Sequence, residues 1–304
     1  MSAATFDLRD VKGAERYPSD AAGMGRIRGI LFCSPAILLL IIFALFPAIW
    51  TIVLGTTDYE LTGVAAANMR FVGAANFTDA LKDPSFYNAM WLSIVFVFCS
   101  GILGQSLLGF AIAWYLQTIP KSIATILEAL VVIAWVIPAS VNTFIWFSMY
   151  QGDGGTINML LGTDTVWLVK YPMLCIIVFN IWVGVAFSVL QYRSALVSVP
   201  KNEMESASLL GANRWRCIQD VVIPHIKGTI FSNLLLVVLS TFNTFTPYML
   251  TMGGPNGQSD IMPAYIYNTA LGNGELGRGS AISAFLLLVN LVFFLILQQV
   301  RRRG

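Results

Sequence analysis

Charged residues are scarce in this chain, and their scarcity excludes a soluble globular domain. Of the 304 residues, 11% are Asp, Glu, Lys or Arg and 57% are hydrophobic. Soluble domains carry about a quarter charged residues, so most of this chain needs surroundings other than water. We therefore predict a membrane protein.

Several kinds of chemical site are also missing. His225 is the only histidine, and the four cysteines have no paired spacing, which argues against a metal site and a disulfide framework. No GxxxxGK[ST] motif occurs, so the chain has no phosphate loop of its own. The apolar runs lack the central carboxylates of a proton-driven carrier and the catalytic clusters of an enzyme. Glu128 is the exception, and we favour a structural or subunit-contact role for it.

The apolar runs themselves predict the architecture. A helix needs roughly 20 apolar residues to cross a bilayer, and six runs qualify. They lie at about 29–54, 88–117, 122–150, 171–197, 228–251 and 281–300. Kinks or uneven ends are expected at Pro35, Pro47, Pro138 and Pro247. The first run is longer than the apolar part of a signal peptide, so we interpret it as an uncleaved anchor. The prediction is an all-α membrane protein with six transmembrane helices.

The basic residues indicate the orientation. With both termini inside, 14 of the 18 Lys and Arg residues fall on the cytoplasmic side and 4 outside, as the positive-inside rule requires. They are scattered at membrane edges, so nothing points to nucleic acid. Residues 1–25 are then a cytoplasmic N-terminal tail, and residues 26–304 form one transmembrane domain.

A structured cytoplasmic segment, residues 198–224, separates the fourth and fifth runs. Ser198 is a candidate N-cap, and Pro200 can open a helix over residues 201–210. Gly211 is placed for a left-handed C-cap, and Asn213 for the cap of a second helix. Pro224 is expected to break the helix before the next apolar run. The pattern predicts a helix–glycine–helix docking element.

Uncharged polar residues in the spans are candidates for a path that carries a neutral, hydroxylated solute. In span 5, Ser240, Asn243, Thr244 and Pro247 have the spacing of one helical stripe. In span 4, Asn180, Gly184 and Phe187 have similar spacing. The alternative for each residue is hydrogen bonding and close packing between helices.

Motifs along the chain resemble those of one transport family. A Glu-Ala-Ala helix followed by glycine and a later proline corresponds here to Glu205, Ser206, Ala207, Gly211, Ala212 and Pro224. FVGAANF, GGTINMLL, NIWVG, and LTMGGP followed by AYIYNTAL support it. The chain resembles the permease subunit of a binding-protein-dependent ABC importer of the carbohydrate-uptake family, with maltose and glycerol-phosphate permeases, and in particular the maltose-permease F-like type. Two departures are Ser206 for the first alanine and Leu210 where many members have aspartate.

The resemblance implies a type I ABC importer permease fold in a bacterial inner membrane. Its partners would be a second homologous permease, a dimer of ATP-binding subunits and an extracytoplasmic solute-binding protein. ATP and Mg would bind the partner ATPase subunits, and this chain would hold no cofactor and catalyse no reaction. Glu205 to Pro224 would couple the permease to the ATPase. A neutral mono-, di- or oligosaccharide is the favoured solute; the alternatives are a sugar-glycerol or glycerol-phosphate solute or, in another class, an ion-coupled secondary carrier.

Overall fold

The computed structural model describes residues 26–303, and the side chains of residues 30–301. The predicted tail of residues 1–25 lies outside the described residues. Within the described range the chain is helical, with one isolated bridge between Thr57 and Phe71. The long helices, which we label α1 to α7, are Ile30–Gly55, Pro84–Thr118, Lys121–Val136, Ala139–Met149, Pro172–Val197, Arg214–Phe242 and Leu276–Arg301. The short helices are Val64–Ala67, Ala75–Lys82, Thr156–Leu161, Trp167–Lys170, Lys201–Leu209, Tyr248–Thr251, Pro255–Gly257 and Met262–Tyr267.

Five helices are long and apolar enough to cross a membrane, or six when the bent pair of α3 and α4 counts as one span. This confirms the predicted all-α membrane fold. The third span is corrected in shape, because α3 and α4 meet at 101° rather than forming one helix. Pro138 explains the bend. It provides no N–H and forces the preceding Ile137 into an extended conformation with ψ of 131°.

The described part of the chain divides after Thr51 into two compact units. In the first unit, the described part of α1 is apolar and its side chains are almost all exposed. A helix of this kind needs lipid or another protein around it, which agrees with a membrane span.

In the second unit, α2, α5, α6 and α7 pack together around a set of large buried side chains. The fully buried ones include Phe96, Phe179, Val189, Phe242 and Ile282. Small residues allow α2 and α5 to approach each other closely. A Cβ at Gly109 of α2 would overlap the side chain of Ser188 of α5. A π-helical stretch from Val97 to Leu107 widens α2 where it faces this core.

The antiparallel helices give the bundle two distinct ends. We call the end with Lys121, Arg193, Lys201, Arg214 and Arg301 the basic end. The opposite end, which carries the connections 150–171 and 243–275, is the loop end.

An ion pair fixes the loop end. Arg278 Nη2 lies 2.6 Å from Asp83 Oδ2, and the Tyr265 hydroxyl donates to the same oxygen at 2.7 Å. Asp83 also caps α2 by accepting from the Ser85 N–H. Burial alone would raise the pKa of Asp83, but the hydrogen bonds from Tyr265 and Ser85 and the charge of Arg278 outweigh it, so this pKa is lowered.

Candidate functional site

The helix–glycine–helix element forms at the basic end. Its first helix, Lys201–Leu209, ends in a Schellman motif at Gly211, whose φ is +86°. The Gly211 N–H donates to the Ser208 carbonyl, and the Ala212 N–H donates to the Ala207 carbonyl, both at 3.0 Å. These two bonds satisfy carbonyls that the helix end would leave unpaired, and the left-handed glycine makes them possible. The predicted glycine corner is confirmed.

Two caps around this helix can be compared with the prediction. The Asn213 side chain accepts from the Arg216 N–H at 2.9 Å, so Asn213 is the N-cap of the second helix as predicted. The Ser198 prediction is wrong. Ser198 ends α5 and its hydroxyl donates back to the Ala195 carbonyl at 2.6 Å, while Pro200 takes the N-cap position. The cause is the length of α5, which leaves only residues 198–200 between two helices.

Pro224 does not break the chain, which corrects the prediction. The second helix continues through it as α6, from Arg214 to Phe242. A π-turn at Ile218–Val222 stands directly before the proline, and the Ile223 N–H bonds to the Ile218 carbonyl five residues back. The wider turn accommodates a residue that has no N–H to donate and whose ring would collide with a regular turn.

The residues of the predicted coupling motif lie partly at the corner formed by residues 205–212, which we call the tip, and partly at its base on α6. Glu205, Ser206 and Gly211 are exposed, whereas Ala207 and Ala212 are half-buried. Beside them, Leu209 and Leu210 are 89% and 90% exposed, which makes the tip apolar. Pro224 is also exposed but belongs to α6 rather than to the tip. An apolar, solvent-exposed tip on a membrane protein is a feature of a docking surface.

Two side chains attach the first helix of this element to the bundle. Met204 packs against the cluster that contains Val199, Val222 and Ile226. Glu203 Oε2 lies 3.4 Å from His225 Nε2, and the other ring nitrogen faces the Val221 carbonyl at 2.8 Å. His225 therefore connects the helix Lys201–Leu209 to α6.

Glu128 has a partner inside this chain. Its carboxylate lies 3.6 Å from Arg193 Nη2, and both side chains are about a quarter exposed. The pair joins α3 to α5 near the basic end. Such a half-buried pair holds two helices together at the membrane edge.

The span-4 candidates lie within the bundle. Asn180 is buried, donates to the Ser100 hydroxyl at 2.8 Å, and accepts from Gln105 Nε2 through its carbonyl at 2.9 Å. Gly184 makes room for the Gln105 side chain, whose amide would overlap with any Cβ there. Phe187 is half-buried, with its ring centroid 6.3 Å from that of Trp135. These contacts match the packing alternative for Asn180 and Gly184.

The same buried region contains a second polar group that the sequence analysis missed. Asn233 donates to the Ser188 hydroxyl at 3.0 Å and to Gln191 Oε1 at 2.9 Å, and accepts from the Tyr192 hydroxyl at 3.0 Å. Tyr192 also bonds Ser106 at 2.7 Å. The three partners of Asn233 lie on α5, and Ser106 lies on α2, so the network ties three helices together. No local spacing signals it, because the partners are far apart in sequence.

The span-5 candidates differ from the predicted arrangement. Because α6 ends at Phe242, the proposed stripe is not helical beyond Ser240, and Asn243 and Thr244 stand in a non-helical segment. Ser240 and Asn243 are exposed, and Thr244 is half-buried. Asn243 forms a reciprocal amide pair with Asn290 of α7, at 3.0 and 3.1 Å.

This amide pair lies at membrane depth. Asn290 comes 14 residues after Leu276 and 11 before Arg301 in α7, which corresponds to roughly 21 and 17 Å along the helix. Helix α6 therefore stops near the middle of the membrane, beside an exposed amide pair. Backbone without helical hydrogen bonds is tolerated at this depth only where it is covered by protein or faces water.

Comparison with known proteins decides the class of this molecule. Residues 105–303 match the family described as binding-protein-dependent transport system inner membrane component. The chain belongs to this family. This confirms the resemblance drawn from the motifs: the permease is a multi-pass inner-membrane subunit of a binding-protein-dependent ABC importer, and it is a transport component rather than an enzyme.

Curated relatives cover most of the permease. A probable ABC transporter permease of Pyrococcus horikoshii is 29% identical over 88% of this chain and 92% of its own length. The sulfoquinovosyl glycerol transport system permease of Agrobacterium fabrum is 24% identical over 88% and 87%. The diacetylchitobiose uptake system permease of Streptomyces coelicolor is 23% identical over 88% and 85%.

A solved structure shows the same fold. A chain of a bacterial ABC transporter that imports the acidic polysaccharide alginate superposes with a TM-score of 0.76 at 20% identity, covering 91% of this chain and 96% of that one.

Proposed function

We propose that the permease forms, with a second homologous permease, the membrane path for a neutral mono-, di- or oligosaccharide. One observation carries this proposal: α6 ends at membrane depth, where Asn243 and Asn290 present an exposed amide pair. Ser240 and Thr244 flank the pair, and all four side chains are uncharged. Such groups hydrogen-bond hydroxyls without selecting for charge.

The relatives agree on the broad class of solute and differ in detail. Their names include a disaccharide and a sugar-glycerol compound, and the alginate transporter carries an acidic polysaccharide. A sugar-glycerol solute is therefore the second candidate. We favour a neutral sugar because the α6 break presents amides and hydroxyls and no basic side chain.

The path residues of the two spans have different roles in this proposal. Ser240, Asn243 and Thr244 face the solute. Asn180 and Gly184 hold α2 against α5, and these two helices support the path from behind. Phe187 lies on the side of α5 next to Trp135.

The tip of the coupling element docks into a groove of the ATPase subunit. Leu209 and Leu210 supply apolar contact, Ala207 and Ala212 permit close approach, and Glu205 and Ser206 supply polar contacts. Gly211 fixes the angle between the tip and α6, and Pro224 directly follows the π-turn in the first part of α6. The basic end then faces the cytoplasm, both termini are cytoplasmic, and ATP with Mg binds in the ATPase dimer. An extracytoplasmic solute-binding protein delivers solute at the loop end.

The first test is ATP hydrolysis and sugar uptake by the assembled complex in proteoliposomes, with and without loaded binding protein, over a panel of sugars. We expect one loaded binding protein to stimulate hydrolysis and uptake together. Uptake that needs no ATP would contradict the proposal and favour an ion-coupled secondary carrier instead.

The docking tip is tested by Leu209→Asp with Leu210→Asp. Buried apolar anchors commonly dominate an interface, so we expect stimulated hydrolysis to fall about tenfold or more. Leu160→Asp is the matched control, because Leu160 is a similarly exposed leucine at the loop end. Equal loss in both variants would contradict the assignment of the tip.

Gly211→Ala tests the corner separately. A Cβ at Gly211 meets nothing within 4 Å, so the only cost is the left-handed backbone, about 1–2 kcal/mol. We expect reduced coupling of hydrolysis to uptake, with unchanged complex yield. Wild-type coupling would show that the angle is not critical.

A further inference from the structure

Three aromatic rings form a compact cluster at the loop end, just beyond the break in α6. The ring centroids of Phe245 and Tyr248 are 5.1 Å apart, those of Phe245 and Tyr267 4.9 Å, and those of Tyr248 and Tyr267 5.0 Å. Phe245 lies in the break, Tyr248 opens the next short helix, and Tyr267 closes Met262–Tyr267. The cluster thus joins segments separated by up to 22 positions in sequence, which no motif predicts.

The cluster is open on one side. Phe245 and Tyr267 are each 37% exposed, while the nearby Phe242 and Tyr265 are buried. Phe245 is two residues from Asn243, so the exposed rings continue the surface of the Asn243–Asn290 pair toward the loop end. In an aromatic belt at a lipid interface, single rings face the headgroups. Here three rings pack on each other beside non-helical backbone, and a cluster of aromatic side chains is a common lining of ligand sites.

The other side of the cluster is held by polar contacts. The Tyr248 hydroxyl donates to Asn268 Oδ1 at 2.7 Å, and Asn268 Nδ2 approaches Asp260 Oδ1 at 3.5 Å. Tyr248 therefore has a fixed ring orientation. The half-buried Asp260 carboxyl sits behind the rings, and a carboxylate there repels an anionic solute.

We propose that Phe245, Tyr248 and Tyr267 form an aromatic entry site that stacks on the face of a neutral sugar ring before the sugar reaches the Asn243–Asn290 pair. This inference rests on the proposed function and adds an entry site to it. Aromatic faces offer the apolar contact that the C–H face of a pyranose needs, and the Asp260 carboxyl selects against acidic sugars. The order along the path is then rings first, amides second.

The test measures sugar imported per ATP hydrolysed, at saturating loaded binding protein, in the complete complex. Tyr267→Leu and Phe245→Leu remove a ring but keep apolar bulk. We expect each to lower import per ATP about three- to tenfold, in line with the worth of an aromatic contact, with stimulated hydrolysis unchanged. Tyr267→Phe keeps the ring and should restore wild-type import, which a role in hydrogen bonding would not.

Tyr115→Leu is the matched control, since Tyr115 is an exposed tyrosine of α2 toward the basic end. Wild-type import per ATP in both ring variants would overturn the entry site and leave the importer proposal standing. The entry site would also be overturned if Tyr267→Leu and Phe245→Leu lowered only the yield or the thermal stability of the complex. If the unmodified complex imports no sugar with ATP and binding protein, both proposals fail.

Discussion

Two groups of polar side chains lie at membrane depth in this permease, and they differ in what surrounds them. Asn180 and Asn233 are buried between helices, and their side chains hydrogen-bond to other helices of the bundle. Asn243 and Asn290 are paired with each other at the surface, where α6 stops. The residue type is the same in both groups.

In the proposed function, an asparagine in a membrane span belongs to the solute path only when two further features accompany it. One is exposure, and the other is irregular backbone beside it. A buried amide in a regular helix holds the bundle together, because its hydrogen bonds are all used within the protein. An exposed amide at a helix break is covered by another protein or faces water.

The largest expected effect comes from Asn233→Leu in the buried group. The change removes three hydrogen bonds, and polar atoms of Ser188 and Gln191 lose a hydrogen-bond partner inside the bundle. We therefore expect the free energy of unfolding to fall by about 2–4 kcal/mol. Thermal unfolding of the purified complex measures it. A variant that unfolds like the wild type but transports poorly would assign Asn233 to the path instead.

Gly184→Ala should have a smaller but clear effect. The added Cβ would overlap with the Gln105 amide, and overpacking of this kind costs about 1–3 kcal/mol. Gly228→Ala in α6 is the control, because a Cβ there meets nothing within 4 Å. Similar melting temperatures for the two variants would mean that α2 and α5 adjust freely.

Substitution of the exposed pair should affect sugar uptake more than stability. Asn243→Ala with Asn290→Ala is expected to cost about 1 kcal/mol of stability or less, because hydrogen bonds between membrane helices are individually weak. Sugar uptake should fall at least fivefold at unchanged complex yield. Intact uptake would place the solute elsewhere and remove the contrast between the two groups.

The smallest effect concerns the pH dependence at the loop end. Burial raises the pKa of Asp260 from 3.8 to about 6, and its titratable neighbour is Tyr248. The folded protein therefore holds this proton more tightly than the unfolded chain. The resulting stability is fully present below about pH 4 and is lost as the pH rises through about 6.

Asp260→Asn should remove that part of the pH dependence. We expect the melting temperature of the wild-type complex to fall more between pH 5 and pH 7 than that of the variant. The Asp83 carboxyl contributes with the opposite sign, since its lowered pKa stabilises the fold above about pH 4. Identical slopes for wild type and variant would contradict the assignment to Asp260.

Local signals in the sequence predicted local structure well. Gly211 and Asn213 cap their helices as expected, because a cap depends on residues within one turn of it. The lengths of the apolar runs predicted six spans, and the structure has six when the bent pair of α3 and α4 is counted as one. The family followed from motifs whose order is itself specific.

What the sequence could not predict depends on distant contacts. The end of α6 at Phe242 was not predicted, because the fifth apolar run was extended to residue 251 across the polar residues and the proline that directly follow Phe242. Pro224 was misjudged because a π-turn compensates for it, and π-turns leave no clear sequence signal. Asn180 and Asn243 looked equivalent, because burial is decided by helices that lie far away in the chain.

Because α6 continues through Pro224, one rod-like helix connects the helix–glycine–helix element to the segment at Asn243. Its 29 residues run from the corner beside the coupling tip to the residue before Asn243, a length of roughly 43 Å. Tilting a rod of this length by about 5° about one end displaces the other by about 4 Å. In the proposed function, a modest movement at the basic end would therefore reach the amide pair as a displacement of about 4 Å carried by the helix itself.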